Sequence, residues 1–270
     1  MHAAASLRGG AVAPLPFPHR VIDGYLPPEA HRAFRDRLDA LLARGLSQHR
    51  DAGRLSKIGG YDCFHWVIPP DAPDALQHFY RRAFRDDVAQ AFGLDFTPEV
   101  NAQINHHPVG SRNGTWHTDY VHCFHSEDPL SGEGMRPWYF GCEYQAGTPL
   151  AGGSTAPILK RVRTAAFLYY LDGDDWSEGD GGETGLGYES PFNDGIQIHT
   201  AVAPRPNRLL VFECCPHSFH RVLGNRRWPR SLVIGWLHGT PESAESRHGV
   251  TPTYWPAQAA LGQYSYHEAT

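Results

Sequence analysis

The sequence predicts a mainly β protein, an antiparallel sandwich or barrel fronted by helices, and three observations carry that prediction. The 270 residues include 28 Gly and 22 Pro, a supply of turn formers suited to many short strands. Beyond Gly93 the chain runs as short alternating or apolar stretches divided by Gly, Pro and Asn. Before Gly93, two stretches carry apolar residues at helical spacing instead. A chain of this length is enough for one large domain with a well-buried core.

The first helix begins at Pro27-Pro28-Glu29, where proline suits a first turn, and its apolar stripe is Phe34, Leu38, Leu41 and Leu42, with Gly45 as the stop. A strand is expected over 61–68. The second helix is read as continuous from Pro73 to Gly93 through Leu76, Phe79, Tyr80, Phe84, Val88 and Phe92. The β runs that follow are 100–105, 116–124, 164–171, 196–202, 208–213, 219–223 and 230–238. Between 126 and 160 the sequence is rich in Gly, Pro and Ser without sustained period, which marks a long excursion from the barrel, and long loops in compact domains commonly carry function. The tail is polar and Pro-interrupted, with Tyr254, Trp255, Tyr264 and Tyr266 available to pin it to the body.

A formal charge of -5 and the lack of any Lys/Arg run give no positive field for a phosphate backbone, so nucleic acid is not the expected partner. No stretch approaches the length of a membrane span, and the first residues lack the apolar centre of a secretory signal. Five cysteines without a C-x-x-C pair suit a reducing compartment, and a cytoplasmic location is expected.

The chemistry concentrates in two segments. His117 and Asp119 stand two apart on a predicted strand, so both side chains leave the same face and can ligate one metal ion. With 17 His and 29 acidic residues, about two such H-x-[DE] pairs arise by chance, and His125-Ser-Glu127 is a second. His117 is preferred because it sits in an aromatic strand, whereas His125 leads into a stretch that reads as a solvated loop. In the second segment, His220 with Arg230 and His217 with Arg227 share one spacing. His220 precedes the Gly224-Asn225 turn on a strand and Arg230 opens the returning strand, while Arg227 falls inside the turn and His217 on the opposite strand face. Two imidazoles and one carboxylate on one side of a metal, with open positions opposite, suit non-haem iron(II). An inward Arg on an apolar strand suits a buried carboxylate, which its planar fork can hold through two parallel hydrogen bonds.

Taken in chain order, these residues resemble the iron(II)/2-oxoglutarate-dependent dioxygenase superfamily, in its prolyl 4-hydroxylase-like branch. The likeness runs from Val100 to His238 and rests on His117-x-Asp119, on Ala166-Phe-Leu-Tyr-Tyr-Leu171 followed by Trp176 and Gly181-Gly-Glu-Thr184, and on Val202-Ala-Pro through His220, Arg230 and Trp236. It implies a double-stranded β-helix, the jelly-roll or cupin-like core, over about 97–240, with an insertion at 126–160, helical support at about 15–96 packed against it and a tail at 241–270, all in one domain. It also implies iron(II) on His117, Asp119 and His220, 2-oxoglutarate on Arg230 with His107 and Tyr169 as further contacts, and ascorbate as an accompanying ligand. His107 stands where the family often has Tyr, and Arg230 where some members have Lys. Retention of Asp119 separates the chain from the halogenases of the family, which lack that carboxylate. The activity implied is hydroxylation of an unactivated C–H bond, with 2-oxoglutarate and O2 converted to succinate and CO2. Arg136, Trp138, Tyr144, Arg161 and Arg163 are candidate substrate contacts under a lid formed by the excursion. A small polar metabolite or amino acid is the favoured substrate; a prolyl or peptidyl side chain in a protein is the alternative, and a cupin-like metalloenzyme or binding module that does not use 2-oxoglutarate is the rival class.

Overall fold

In a computed structural model the described residues are 7, 11–190 and 195–255; Tyr264 and Tyr266 lie outside them. In chain order the elements are β1 (His19–Ile22), α1 (Pro28–Ala43), β2 (Ser56–Lys57), β3 (Phe64–Val67), a 3-10 helix (Asp74–Tyr80), α2 (Arg82–Phe92), β4 (Glu99–His107), β5 (His122–Ser126), β6 (Arg136–Pro137), β7 (Ile158–Tyr170), β8 (Thr184–Glu189), β9 (Ile196–Val202), β10 (Leu209–Glu213), β11 (His220–Val222), β12 (Arg230–Gly239) and α3 (Pro241–His248). The larger sheet has the order β1-β10-β7-β12-β4-β3-β2, with β5 on the first half of β7 and β6 beside β4. The smaller sheet is β11-β8-β9. Apart from the short β6, the strand pairs are antiparallel, and together the two sheets form the double-stranded β-helix core.

Strict alternation along the central strands divides the interior into two layers. On β7, Phe167 and Tyr169 face the helices, where they pack with Phe34, Phe79, Phe84 and Val88; on the same side β4 presents Val100, Ala102 and Ile104, and β12 presents Val233 and Leu237. The intervening Ala166, Leu168 and Tyr170 face the other way and meet Leu210, Phe212, Leu232 and Trp236, closed from the opposite side by Leu186 and Val202 of the small sheet. The inward residues of β4 are Asn101, Gln103, Asn105 and His107, so one wall of an otherwise apolar barrel is polar. Gly235 lies at a close crossing: a Cβ there would stand 2.2 Å from the Asn101 carbonyl oxygen and 2.3 Å from the Phe167 ring.

The second helical segment is not continuous. Arg81 adopts an extended backbone (ψ 140) between the 3-10 turn and α2. Tyr80 explains the break: its buried hydroxyl reaches the carbonyls of Ile68 (2.7 Å) and Ala102 (3.1 Å), and Phe79 stacks on Phe167 at 4.9 Å. These tertiary contacts override a helical repeat that intrinsic propensity alone would continue. The 116–124 stretch also departs from expectation. Only His122–Ser126 is a regular strand, and His117 is held by a single antiparallel bridge to His220.

Asp172, just past β7, accepts the Ser231 amide at 2.8 Å and so ties the end of β7 to the start of β12. Burial pushes its carboxyl up to about 6. The folded chain therefore binds this proton more tightly than the unfolded chain does, so the contribution of Asp172 to stability is fully present below the ordinary value of 3.8 and is lost as pH rises through about 6. Asp172→Asn keeps the acceptor and removes the ionisation. In urea denaturation the wild type should lose stability relative to this variant between pH 4 and 7; a difference that stays constant across that interval contradicts the account.

Candidate metal centre

The segment before β5, which carries His117 and Asp119, meets β11, which begins at His220, with β7 and β12 behind them. His117 and His220 exchange backbone hydrogen bonds (3.3 and 2.9 Å), which sets their imidazoles 4.3 Å apart, centroid to centroid. Each ring is oriented by a backbone carbonyl two residues earlier, Thr115 for His117 Nδ1 and Ser218 for His220 Nδ1, both at 2.9 Å. Such contacts protonate Nδ1 and leave the Nε2 lone pairs free for a metal ion. Asp119 completes the group, and one ligand atom from each of the three residues lies within 4.8 Å of the other two.

Asp119 is 1% exposed, and its carboxylate is held from two sides. Arg163 Nη1 donates to Oδ1 at 2.6 Å, and Trp236 Nε1 donates to Oδ2 at 2.7 Å. The Arg163 guanidinium in turn stacks 3.8 Å above the Trp236 ring. Burial alone would raise the Asp119 carboxyl, but Arg163, followed by His220 and His117, outweighs it and holds the carboxyl well below the usual carboxylate range. Burial, with the nearby His220, brings His117 down to about 4, so this ring is unprotonated and available as a ligand at neutral pH. His117 also has Trp255 edge-on at 5.3 Å.

A second polar group lies at the start of β12. Arg230 is 4% exposed and faces His107 across the β4–β12 ladder. Its Nη2 donates to Thr184 Oγ1 at 2.8 Å, the same Oγ1 that meets the Tyr170 hydroxyl at 2.6 Å, while the buried Nε has no protein partner. The Gly181-Gly182 turn carries Thr184 to this position. Gly181 has φ +81, and a Cβ there would stand 2.0 Å from the Gly224 carbonyl oxygen. On the other side of that contact, Asn225 Nδ2 donates to the Pro108 and Trp228 carbonyls (both 2.8 Å), which fastens the β11–β12 turn to the end of β4. Burial, then the Arg230 charge, brings His107 down to about 3, so a neutral imidazole stands beside the guanidinium.

Both polar groups open into one cavity of about 640 Å³, roofed by Trp138, Phe140, Tyr144 and Leu150 from the 126–160 excursion. Of the residues singled out from sequence, His117, Asp119, His220, Arg230, His107, Trp138, Tyr144 and Arg163 line it. Tyr169 does not: strand alternation turns it to the helical side, where its hydroxyl bonds His31 Nδ1 (2.6 Å) and Asn207 (2.9 Å), and Tyr170 occupies the cavity side of β7 beside Arg230. Nor does Arg136, which is spent behind the cavity on the buried Glu99 and the Asp128 carbonyl; Arg161 shares that Glu99 at 2.6 Å. Arg163 is committed to Asp119 rather than free for substrate. His125 is buried on β5, not in a solvated loop; Arg227 is exposed in its turn as expected, and His217 lies in an exposed turn rather than on the far face of a strand. Thr184 and Trp236 enter the sequence expectations only as parts of the family likeness, with no site role assigned to either. Position on a strand was the one available signal for both, and it does not reveal their hydrogen bonds.

The model for the 2OG-Fe(II) oxygenase superfamily matches residues 102–238, just over half of the chain. The chain belongs to the 2OG-Fe(II) oxygenase superfamily. Among solved structures, this oxygenase is similar to a prolyl-4-hydroxylase from Pseudomonas putida, with a TM-score of 0.52 and 17% identity over 81% of this chain and 91% of that one. It is also matched to the viral collagen prolyl hydroxylase of Paramecium Bursaria Chlorella virus-1 (TM-score 0.46, 13% identity, 82% and 96% covered). A Trichoplax adhaerens prolyl hydroxylase in complex with a hypoxia inducible factor peptide fragment matches with a TM-score of 0.48 and 14% identity, over 86% of each chain. No curated protein matches the oxygenase in sequence at a significant level. Membership implies iron(II) and 2-oxoglutarate. The residues fit both: two oriented imidazoles and a buried carboxylate for the metal, and a buried guanidinium with an unpartnered Nε for a carboxylate. No helix among the described residues is long and apolar enough to cross a membrane.

If Arg163 is what keeps Asp119 ionised, Arg163→Met should leave the carboxyl buried without its main counter-charge and raise its proton affinity. In the apo-protein, cobalt(II) affinity should then fall more steeply between pH 8 and 5.5 for the variant than for the wild type. Parallel profiles in isothermal titrations would contradict this role for Arg163.

Proposed function

We propose that this oxygenase hydroxylates an unactivated C–H bond of a small polar metabolite or amino acid, with His117, Asp119 and His220 holding iron(II) and Arg230 holding the far carboxylate of 2-oxoglutarate. The observation that carries the proposal is one cavity containing both the ligand triad and a buried guanidinium with a spare donor. When bound, the iron and 2-oxoglutarate supply the oxidising chemistry, in which O2 is consumed and succinate and CO2 are released.

The chain's own residues bind, orient and exclude water. Arg230 and Thr184 offer the donors for a carboxylate, and Leu168 and Leu232 add apolar lining to the cavity, in which a charge-assisted hydrogen bond counts for more than in water. Arg163 and Trp236 fix the Asp119 carboxylate in one orientation. His107, held neutral, supplies a polar contact beside Arg230 without competing for the cosubstrate's negative charge. Ascorbate, the accompanying ligand implied by the family likeness, stays part of this proposal.

The substrate class rests on the roof of the cavity. Trp138, Phe140, Tyr144 and Leu150 fold down over the metal side, with Gln103, Asn105 and Glu143 as polar groups among them, and the volume falls within the range of small-molecule sites. The 126–160 segment thus acts as a substrate lid.

Succinate formation in the presence of iron(II), 2-oxoglutarate and O2 should be stimulated by members of a panel of free amino acids and small carboxylates, and not by proline-containing peptides. The reverse pattern would replace the small-molecule reading with a peptidyl one. Arg230→Ala should raise the KM for 2-oxoglutarate about 10- to 100-fold, the scale of a lost charge-assisted hydrogen bond. An unchanged KM would remove Arg230 from the cosubstrate site and favour a cupin-like reading.

A further inference from the structure

A second group of metal-ligating side chains lies in the barrel beyond Tyr144 and Arg163. Cys123 and His125 stand two apart on β5 and so share its inner face; His238, near the end of β12, meets them across β7. All three are buried, and their ligand atoms lie within 4.8 Å of one another, a spacing that small side-chain rotations close onto an ion at bond lengths of about 2.0–2.3 Å. The rings of His125 and His238 are 4.5 Å apart.

His125 is the observation that singles the group out. Both of its ring nitrogens are buried, and neither has a hydrogen-bond partner. A neutral imidazole carries one N–H and one lone pair, and leaving both unmet in the interior costs on the order of 1–3 kcal/mol for each group. His238 is already arranged as a ligand: its Nδ1 meets the Glu99 carbonyl at 2.9 Å, the usual outer contact of a metal-bound imidazole, and its Nε2 faces the group, where the Tyr144 hydroxyl meets it at 2.6 Å.

Chemistry and charge narrow the occupant. A thiolate with two imidazoles selects soft ions over the hard cations that carboxylates prefer. Arg136, Arg161 and Arg163 surround the group, and Glu99 and Asp119 match two of those three charges. Loss of the Cys123 proton on binding matches the third. A monovalent ion then adds one uncompensated charge to the interior and a divalent ion two, which favours the monovalent ion.

We propose that Cys123, His125 and His238 form a second metal site, separate from the His117, Asp119 and His220 triad, that binds a soft monovalent ion of the copper(I) type. Binding displaces the proton of the Cys123 thiol and the hydrogen bond from Tyr144 to His238, with no change of oxidation state. Tyr144 also roofs the large cavity and lies 3.3 Å from Arg163 Nε, so occupancy of this site changes one wall of the substrate pocket.

The test is an anaerobic competition of the full-length apo-protein against a chromogenic copper(I) chelator. The wild type should withdraw one equivalent of copper(I). His220→Ala and the double variant Cys214→Ser/Cys215→Ser should do the same, whereas Cys123→Ser and His125→Ala should bind at least ten-fold more weakly. Cobalt(II) titration of the triad in Cys123→Ser should match the wild type, which separates loss of this site from loss of the fold. The proposal is overturned if the wild type withdraws no copper(I), if Cys123→Ser competes as well as the wild type, or if the bound equivalent disappears in His220→Ala or in Cys214→Ser/Cys215→Ser.

Discussion

The structure depends on keeping one carboxylate charged in the interior of a β barrel. Asp119 has no solvent to stabilise it, and an isolated buried carboxylate would take up a proton and cease to be a strong ligand. Arg163 and Trp236 prevent this by donating to separate oxygens, and each depends on the strands that carry it. Arg163 comes from β7 and Trp236 from β12, adjacent strands at the centre of the larger sheet, so the register of the sheet is also the geometry of the carboxylate. Removing one partner of a buried ion pair typically costs about 3–5 kcal/mol, which makes this a point where fold stability and metal binding are joined.

The same logic extends along the barrel axis. Along the barrel interior runs a graded series of polar groups from several elements: Arg230, His107 and Thr184 at one end, the Asp119 assembly in the middle, and Glu99, His238, Cys123 and His125 beyond Tyr144. Each is matched to a neighbour or left with a free donor or lone pair where a ligand belongs. The apolar layers on either side, helices outside and the small sheet opposite, exclude water from these contacts and so strengthen them.

Much of this was legible in the sequence because it follows from periodicity. The H-x-D pair, the choice of His220 over His217, and Arg230 at the head of its strand are two-residue alternation read against turn signals, and the structure sets these residues around one cavity. What sequence did not reveal is contact-dependent. Tyr169 and Tyr170 are adjacent and chemically alike, and only the phase of β7, fixed by pairing with β10 and β12, decides which faces the cavity. Arg136 and Arg161 looked free until Glu99, far away in the chain, was found between them. The continuous helix over 73–93 failed for the same reason, since Tyr80 answers to Ile68 and Ala102 rather than to its helical neighbours.

The most direct measurement is a crystal structure of the protein grown anaerobically with manganese(II), as a redox-inert substitute for iron, and 2-oxoglutarate. The account predicts anomalous density for the metal bonded to His117 Nε2, Asp119 and His220 Nε2, with the distal carboxylate of 2-oxoglutarate against the Arg230 guanidinium and Thr184. Metal density elsewhere, or a 2-oxoglutarate whose distal carboxylate does not reach Arg230, would contradict it.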